Sequence, residues 1–245
     1  MHAGGNKRGN LTMISSIWTP KRLLRLTGVV SILIALLLVA GDELLQYSPQ
    51  GYASYLSYRD ISFWRVLSGD LLGVLGIPLV AIGYWSVCYA LKCSGVKRTS
   101  FMFWIIAYGA ALGATAHGGF SAVIVIIQEG TRSSLGRALD YLQTYLAIPY
   151  GVFLLCYLIV SAWYCIAVLS SRTLYPKWMA LLNPFPLSIV IALLSISNIL
   201  PVLSNVLSPA WLSIPHLVFF TLSTLVLWSP RKERLPETLY AMPKR

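Results

Sequence analysis

Uninterrupted apolar runs such as VVSILIALLLVA, residues 29–40, constrain this chain more than any other feature. A run of about 20 mainly apolar residues is what a helix needs to cross a hydrocarbon layer roughly 30 Å thick. Six stretches qualify, at residues 26–45, 66–91, 101–128, 145–169, 187–206 and 211–228. None alternates polar with apolar residues as a barrel strand would, so helices are the expected form. The expectation is an all-α, polytopic integral membrane bundle of six transmembrane helices, built as one domain over residues 1–245. Composition agrees: 57% of residues are hydrophobic and 11% charged, whereas soluble domains carry roughly a quarter charged residues.

Charge distribution sets the expected orientation. Lys7, Arg8, Lys21, Arg22 and Arg25 precede the first run; Lys92, Lys97 and Arg98 follow the second; Arg172 and Lys177 follow the fourth. Arg231, Lys232, Arg234, Lys244 and Arg245 close the chain, so fifteen of nineteen basic residues fall on one side. A basic excess marks the cytoplasmic side, which predicts a multi-pass protein of the cell membrane with both termini in the cytoplasm. Six of the eight acids, from Asp42 to Asp140, fall on or near the other side. The net charge of +11 is thereby explained by topology, and no nucleic-acid partner is expected; the lipid bilayer is the partner the composition implies. A cleavable signal is the rival reading of the first run, with Val39-Ala40-Gly41 as the cleavage site, but its basic lead is long for one.

Helical spacing shows which side of each run faces its neighbours. In the first, Gly28, Ser31, Ala35, Leu38 and Asp42 form an inward stripe, while Val29, Ile32, Leu36 and Val39 suit lipid and lead to Glu43 at the rim. The second carries Gly69, Gly73, Gly76, Val80 and Gly83 on one face, a close-approach surface for another helix. The third sets Gly109 and Gly113 beside Ala110, Ala114, His117 and Ser121. Tyr150, Tyr157, Ser161 and Tyr164 line the fourth, Ser188, Ser195, Asn198 and Asn205 the fifth, and Ser213, His216, Phe220 and Ser223 the sixth.

Two Gly-Asp pairs, Gly41-Asp42 and Gly69-Asp70, stand at matching levels on the first two helices. Asp42 lies seventeen residues after Arg25, about 25 Å along a helix rising 1.5 Å per residue, and Asp70 lies just inside the descending second. An ionisable residue within a span usually faces a cavity or a partner. The expected site is therefore an outward-opening polar pocket formed by Asp70, Asp42, His117, Asn198 and His216, taking a small polar, cationic or amphipathic molecule, lipid included, with Asp70 as counter-ion or proton acceptor. The bland reading pairs the aspartates with Arg59 or Arg65 and leaves the histidines as packing groups.

Other chemistry finds little support. No HxxxH or HxxE spacing places two metal ligands on one helix, and no GxSxG, Walker or CxxC motif occurs, so neither metal nor cofactor is expected. Cys88, Cys93, Cys156 and Cys165 read as small hydrophobes, and the sequon Asn10-Leu11-Thr12 falls on the expected inside. The segment SSLGRALDYLQ reads as a short amphipathic surface helix, Ser208 and Pro209 as the start of the last helix, and Pro149, Pro201 and Pro215 as break points. A membrane-embedded acid/base enzyme acting on a lipid or isoprenoid, an ion- or proton-coupled transporter, and an accessory subunit with no site are the rival functions.

Overall fold

A computed structural model of the protein describes residues 20–48, 55–91, 96–129, 132–170, 173–197 and 201–229. Within them the chain is helical: α1 Pro20–Gln46, α2 Phe63–Ala90, α3 Val96–Glu129, α4 Arg132–Ser170, α5 Pro184–Ser197, α6 Pro201–Leu207 and α7 Ser213–Trp228, with short 3₁₀ turns at Tyr55–Asp60 and Lys177–Ala180. Four helices, α1 to α4, are long and apolar enough to cross a membrane. α7 packs on α1, α1 on α2, α2 on α3 and α3 on α4, while α5 lies between α4 and α7.

The fifth and sixth expected spans differ from expectation. α5 has 14 residues and rises about 21 Å, short of the hydrocarbon thickness. α6 does not extend it straight: the Ser204 hydroxyl donates to the Leu194 carbonyl at 3.4 Å, ten residues back, which requires the chain to reverse. Pro201 begins the new helix, in keeping with its fixed φ and missing N–H. α7 has 16 residues and starts after a turn over Ser208–Leu212, not at Pro209, because the Ala210 carbonyl takes the amides of Ser213 and Ile214. Pro215 sits in the first turn of α7, where no amide is needed. SSLGRALDYLQ is no separate surface helix either; it forms the opening turns of α4, which continues through Pro149.

Side-chain donors close the helix ends. Arg65 donates through Nε to the Leu44 carbonyl at 3.0 Å and through Nη2 to those of Tyr47 at 2.8 Å and Glu43 at 3.3 Å, satisfying the C-terminal carbonyls of α1 and complementing its dipole. Lys177 does the same for α4 at Val168, 2.7 Å, and at Leu169. Gln128 donates to the carbonyls of Tyr58 and Ile61 at 3.1 and 2.7 Å, pinning the 3₁₀ turn over α3, where Leu45, Ile61, Val66, Val123 and Ile124 make a small core.

At the opposite end Asn183, 1% exposed, joins three segments. Its Oδ1 accepts from the Ser161 hydroxyl at 2.5 Å and from the Phe185 amide at 3.2 Å, capping α5; its Nδ2 donates to the Ala180 carbonyl at 2.8 Å and meets Cys165 Sγ at 3.1 Å. Pro184 follows as the first helical residue, the position proline favours. Nearby, burial raises the Tyr175 hydroxyl above its ordinary range, and this neutral phenol pairs with Ser223 at 2.7 Å. Asn183→Ala removes a cap and strands buried polar partners, so a loss of about 2–4 kcal/mol is expected. Chemical unfolding in detergent checks this, and a change below about 1 kcal/mol would contradict the role.

Candidate functional site

The small residues of the spans set how closely the helices approach. A Cβ on Gly69 would stand 2.8 Å from both the Gly41 carbonyl oxygen and the Leu45 amide nitrogen, and one on Gly41 3.2 Å from the Gly69 carbonyl oxygen. The repeated Gly-Asp pair is thus the crossing point of α1 and α2, each glycine lying against the other's backbone. One turn further, a Cβ on Gly73 would stand 2.0 Å from His117 Nε2. Absence of a side chain there is what lets α3 seat its imidazole between α1 and α2.

Beside this crossing the bundle holds a cavity of about 460 Å³, lined by residues of α1, α2, α3, α4 and the segment from Pro209 to His216. That volume lies within the range of small-molecule pockets. Its polar end is built by Asp42, His117 and Ser213. Ser213 Oγ donates to Asp42 Oδ2 at 2.5 Å, while Asp42 Oδ1 faces His117 Nδ1 at 3.7 Å, the two side chains being 13% and 9% exposed. His117 Nε2 lies 3.3 Å from the Gly69 carbonyl. A carbonyl only accepts, so Nε2 carries the hydrogen, and in the neutral form of the ring the lone pair is then at Nδ1.

Aliphatic side chains such as Leu38, Ile77, Val80 and Ile106, the amides Gln46 and Gln143, and a run of aromatic rings complete the wall. Phe153 stacks on Tyr157 at 5.9 Å between ring centres, and Tyr157 on His216 at 5.4 Å. Tyr150 adjoins Phe153 at 6.1 Å, and Tyr84 stands edge-on to His216 at 5.9 Å. His216 is held from both sides: Nδ1 donates to the Leu212 carbonyl at 2.8 Å, leaving Nε2 to accept from the Tyr84 hydroxyl at 3.2 Å. Both its nitrogens are thus engaged within the protein, and it lines the cavity as a ring.

Of the five residues read from the sequence, Asp42, His117 and His216 line this cavity. Asp70 lies behind its wall, against α3, with Oδ1 3.7 Å from the place a Gly118 Cβ would take and without a hydrogen-bond partner among the described residues. Asn198 lies outside the described residues. Arg65 serves the α1 carbonyls with hydrogen bonds and makes none to either aspartate. Ser213, Tyr150 and Tyr157 were visible in the sequence as polar stripes of their helices, whereas Tyr84 was not singled out; what a stripe lacks is the rotation that aims Ser213 at Asp42 and Tyr157 at His216. Phe153 carried no signal, being one apolar residue among many in its span. Among the described residues no cluster of three His, Cys, Asp or Glu is placed to hold a metal ion.

No curated protein and no solved structure matches the chain. Every residue lining the cavity falls within residues 14–229, the stretch over which the chain matches, and so belongs to, DUF6796, a family of unknown function.

Proposed function

We propose that this is a multi-pass protein of the cell membrane, with both termini in the cytoplasm and six apolar segments embedded, that binds a small polar, cationic or amphipathic molecule in the cavity between α1, α2, α3, α4 and α7. Basic residues concentrated beside the Arg25 end support the orientation, and it directs the Asp42 end outward. One observation carries the binding reading: a carboxylate, an imidazole and a hydroxyl from three helices meet at one end of a cavity whose remaining lining, the amides of Gln46 and Gln143 apart, is largely aromatic and aliphatic. Burying these polar groups costs free energy unless they serve a partner.

The test is a ligand screen by thermal shift on protein in lipid nanodiscs. A compound at a hundred times its Kd stabilises the folded state by about 2.7 kcal/mol. Ala110→Phe puts a ring into the cavity and is expected to abolish the shift while helical content stays unchanged. Equal shifts in both proteins would place binding elsewhere.

The same Asp42 and His117 pair is the equipment of an acid/base enzyme acting on a lipid-soluble substrate. Turnover of such a compound by purified protein, lost in His117→Asn, would move the reading from binding to catalysis.

A further inference from the structure

Hydrogen-bond accounting at the polar end of the cavity, together with the chemistry of its walls, identifies the kind of molecule it fits. Ser213 spends its hydroxyl hydrogen on Asp42 Oδ2, and His117 spends its Nε2 hydrogen on the Gly69 carbonyl. What faces the cavity between them is Asp42 Oδ1 and His117 Nδ1, two acceptors 3.7 Å apart. That separation is too long for a direct hydrogen bond. A single nitrogen carrying at least two hydrogens reaches both, since charge-assisted N–H···O contacts run about 2.7–2.9 Å.

Charge points the same way. The lining contains the Asp42 carboxylate and no lysine, arginine or second carboxylate, so a cation entering is neutralised and an anion meets repulsion with no compensating group. Beyond the carboxylate lie the rings of Tyr150, Phe153 and Tyr157, aromatic surface suited to pack the hydrocarbon of an ammonium held at Asp42. Gln143 and Ala147, one turn apart on α4, both line the cavity and are exposed, so the flank of α4 at these residues is where a mouth for an apolar chain is expected.

We infer that the ligand is an amphipathic primary ammonium, its nitrogen held between Asp42 and His117 and its hydrocarbon lying along the α4 aromatic wall toward Ala147. This rests on the binding reading given above and narrows it to one chemical class. The bond set is electrostatic and hydrogen-bonded, with no covalent step.

Four probes with the same chain separate the possibilities on the native protein in nanodiscs, empty nanodiscs being subtracted: octylamine, octanol, octanoate and octyltrimethylammonium. Octylamine is expected to bind saturably and at least tenfold more tightly than octanol or octanoate. The quaternary probe, with charge but no N–H, is expected to fall below octylamine. Asp42→Asn should erase the advantage of the amine over the alcohol, and Ala147→Trp, filling the mouth, should weaken octylamine without lowering the protein's melting temperature. Octanol or octanoate matching octylamine on the native protein overturns the assignment, and so does a quaternary probe binding equally well. Should none of the four bind while another compound still needs an open cavity, as judged with Ala110→Phe, the ligand class falls and the site stands. If no compound's binding responds to Ala110→Phe, the site itself falls.

Discussion

Gly69→Ala is expected to remove most of the folded protein, and Gly73→Ala to follow it closely. At Gly69 the added methyl would lie 2.8 Å from backbone atoms of Gly41 and Leu45; no rotamer change relieves it, so α1 and α2 must separate along their whole contact. Overpacking a tight core costs about 1–3 kcal/mol and more where the backbone must move. Small residues at such crossings are what lets membrane helices approach. At Gly73 the methyl would overlap the His117 ring, which is confined by Asp42 on one side and the Gly69 carbonyl on the other. Monodisperse yield and melting temperature in detergent check both, with Gly151→Ala as control, because a Cβ at Gly151 meets nothing within 4 Å. A drop of more than about 5 °C for Gly69→Ala, with Gly151→Ala unchanged or slightly improved, is the expected pattern. Equal melting of all three would contradict the crossing.

Asp42→Asn is expected to lower affinity for the cavity ligand by about ten- to a hundredfold while the fold persists. Asparagine keeps the shape and still offers Ser213 an oxygen acceptor, so the loss isolates the charge. Hydrogen bonds to a charged group contribute about 1.5–3 kcal/mol, and each 1.4 kcal/mol is about a factor of ten in affinity. Asp70→Asn changes a carboxylate outside the lining. It reaches the ligand through His117 alone and is expected to shift affinity by less than about threefold. Calorimetric titration of both variants decides between them. A larger effect at Asp70 than at Asp42 would return the counter-ion to the residue that the sequence favoured.

How far the chain could be read in advance depended on whether one helix or two were involved. The inward stripe of α1 was legible because its period is internal: Ser31, Ala35 and Leu38 are buried at 5% exposure or less, while Val29 and Leu36 are well exposed. The glycine face of α2 was legible for the same reason, and it is buried. Which glycine receives which neighbour was not, since the pairing of Gly73 with an imidazole 44 positions later depends on the mutual rotation of two helices. Hydropathy alone joined residues 187–206 into one run; it does not register that Pro201 starts a new helix folded back on α5. Conversely, it separated SSLGRALDYLQ from the helix behind it because polarity falls between them, although nothing in that segment interrupts backbone hydrogen bonding. Asp70 was the favoured anchor, standing just inside the second span at the level of Asp42; the register of α2 turns it to α3 at Gly118 and out of the cavity lining.

We propose that the ligand is met in the cavity between Asp42 and the α4 rings, and photolabelling separates this from binding on the outward-facing surface. A diazirine analogue of any compound the thermal screen returns is applied in nanodiscs, with labelled positions identified by mass spectrometry. Labels competed away by the parent compound are expected on the cavity segments of α3 and α4, from Gly109 to Phe120 and from Leu146 to Tyr157. Competed labels confined to outward-facing side chains such as Leu33, Leu75 and Ile166, with those segments unmarked, would contradict it.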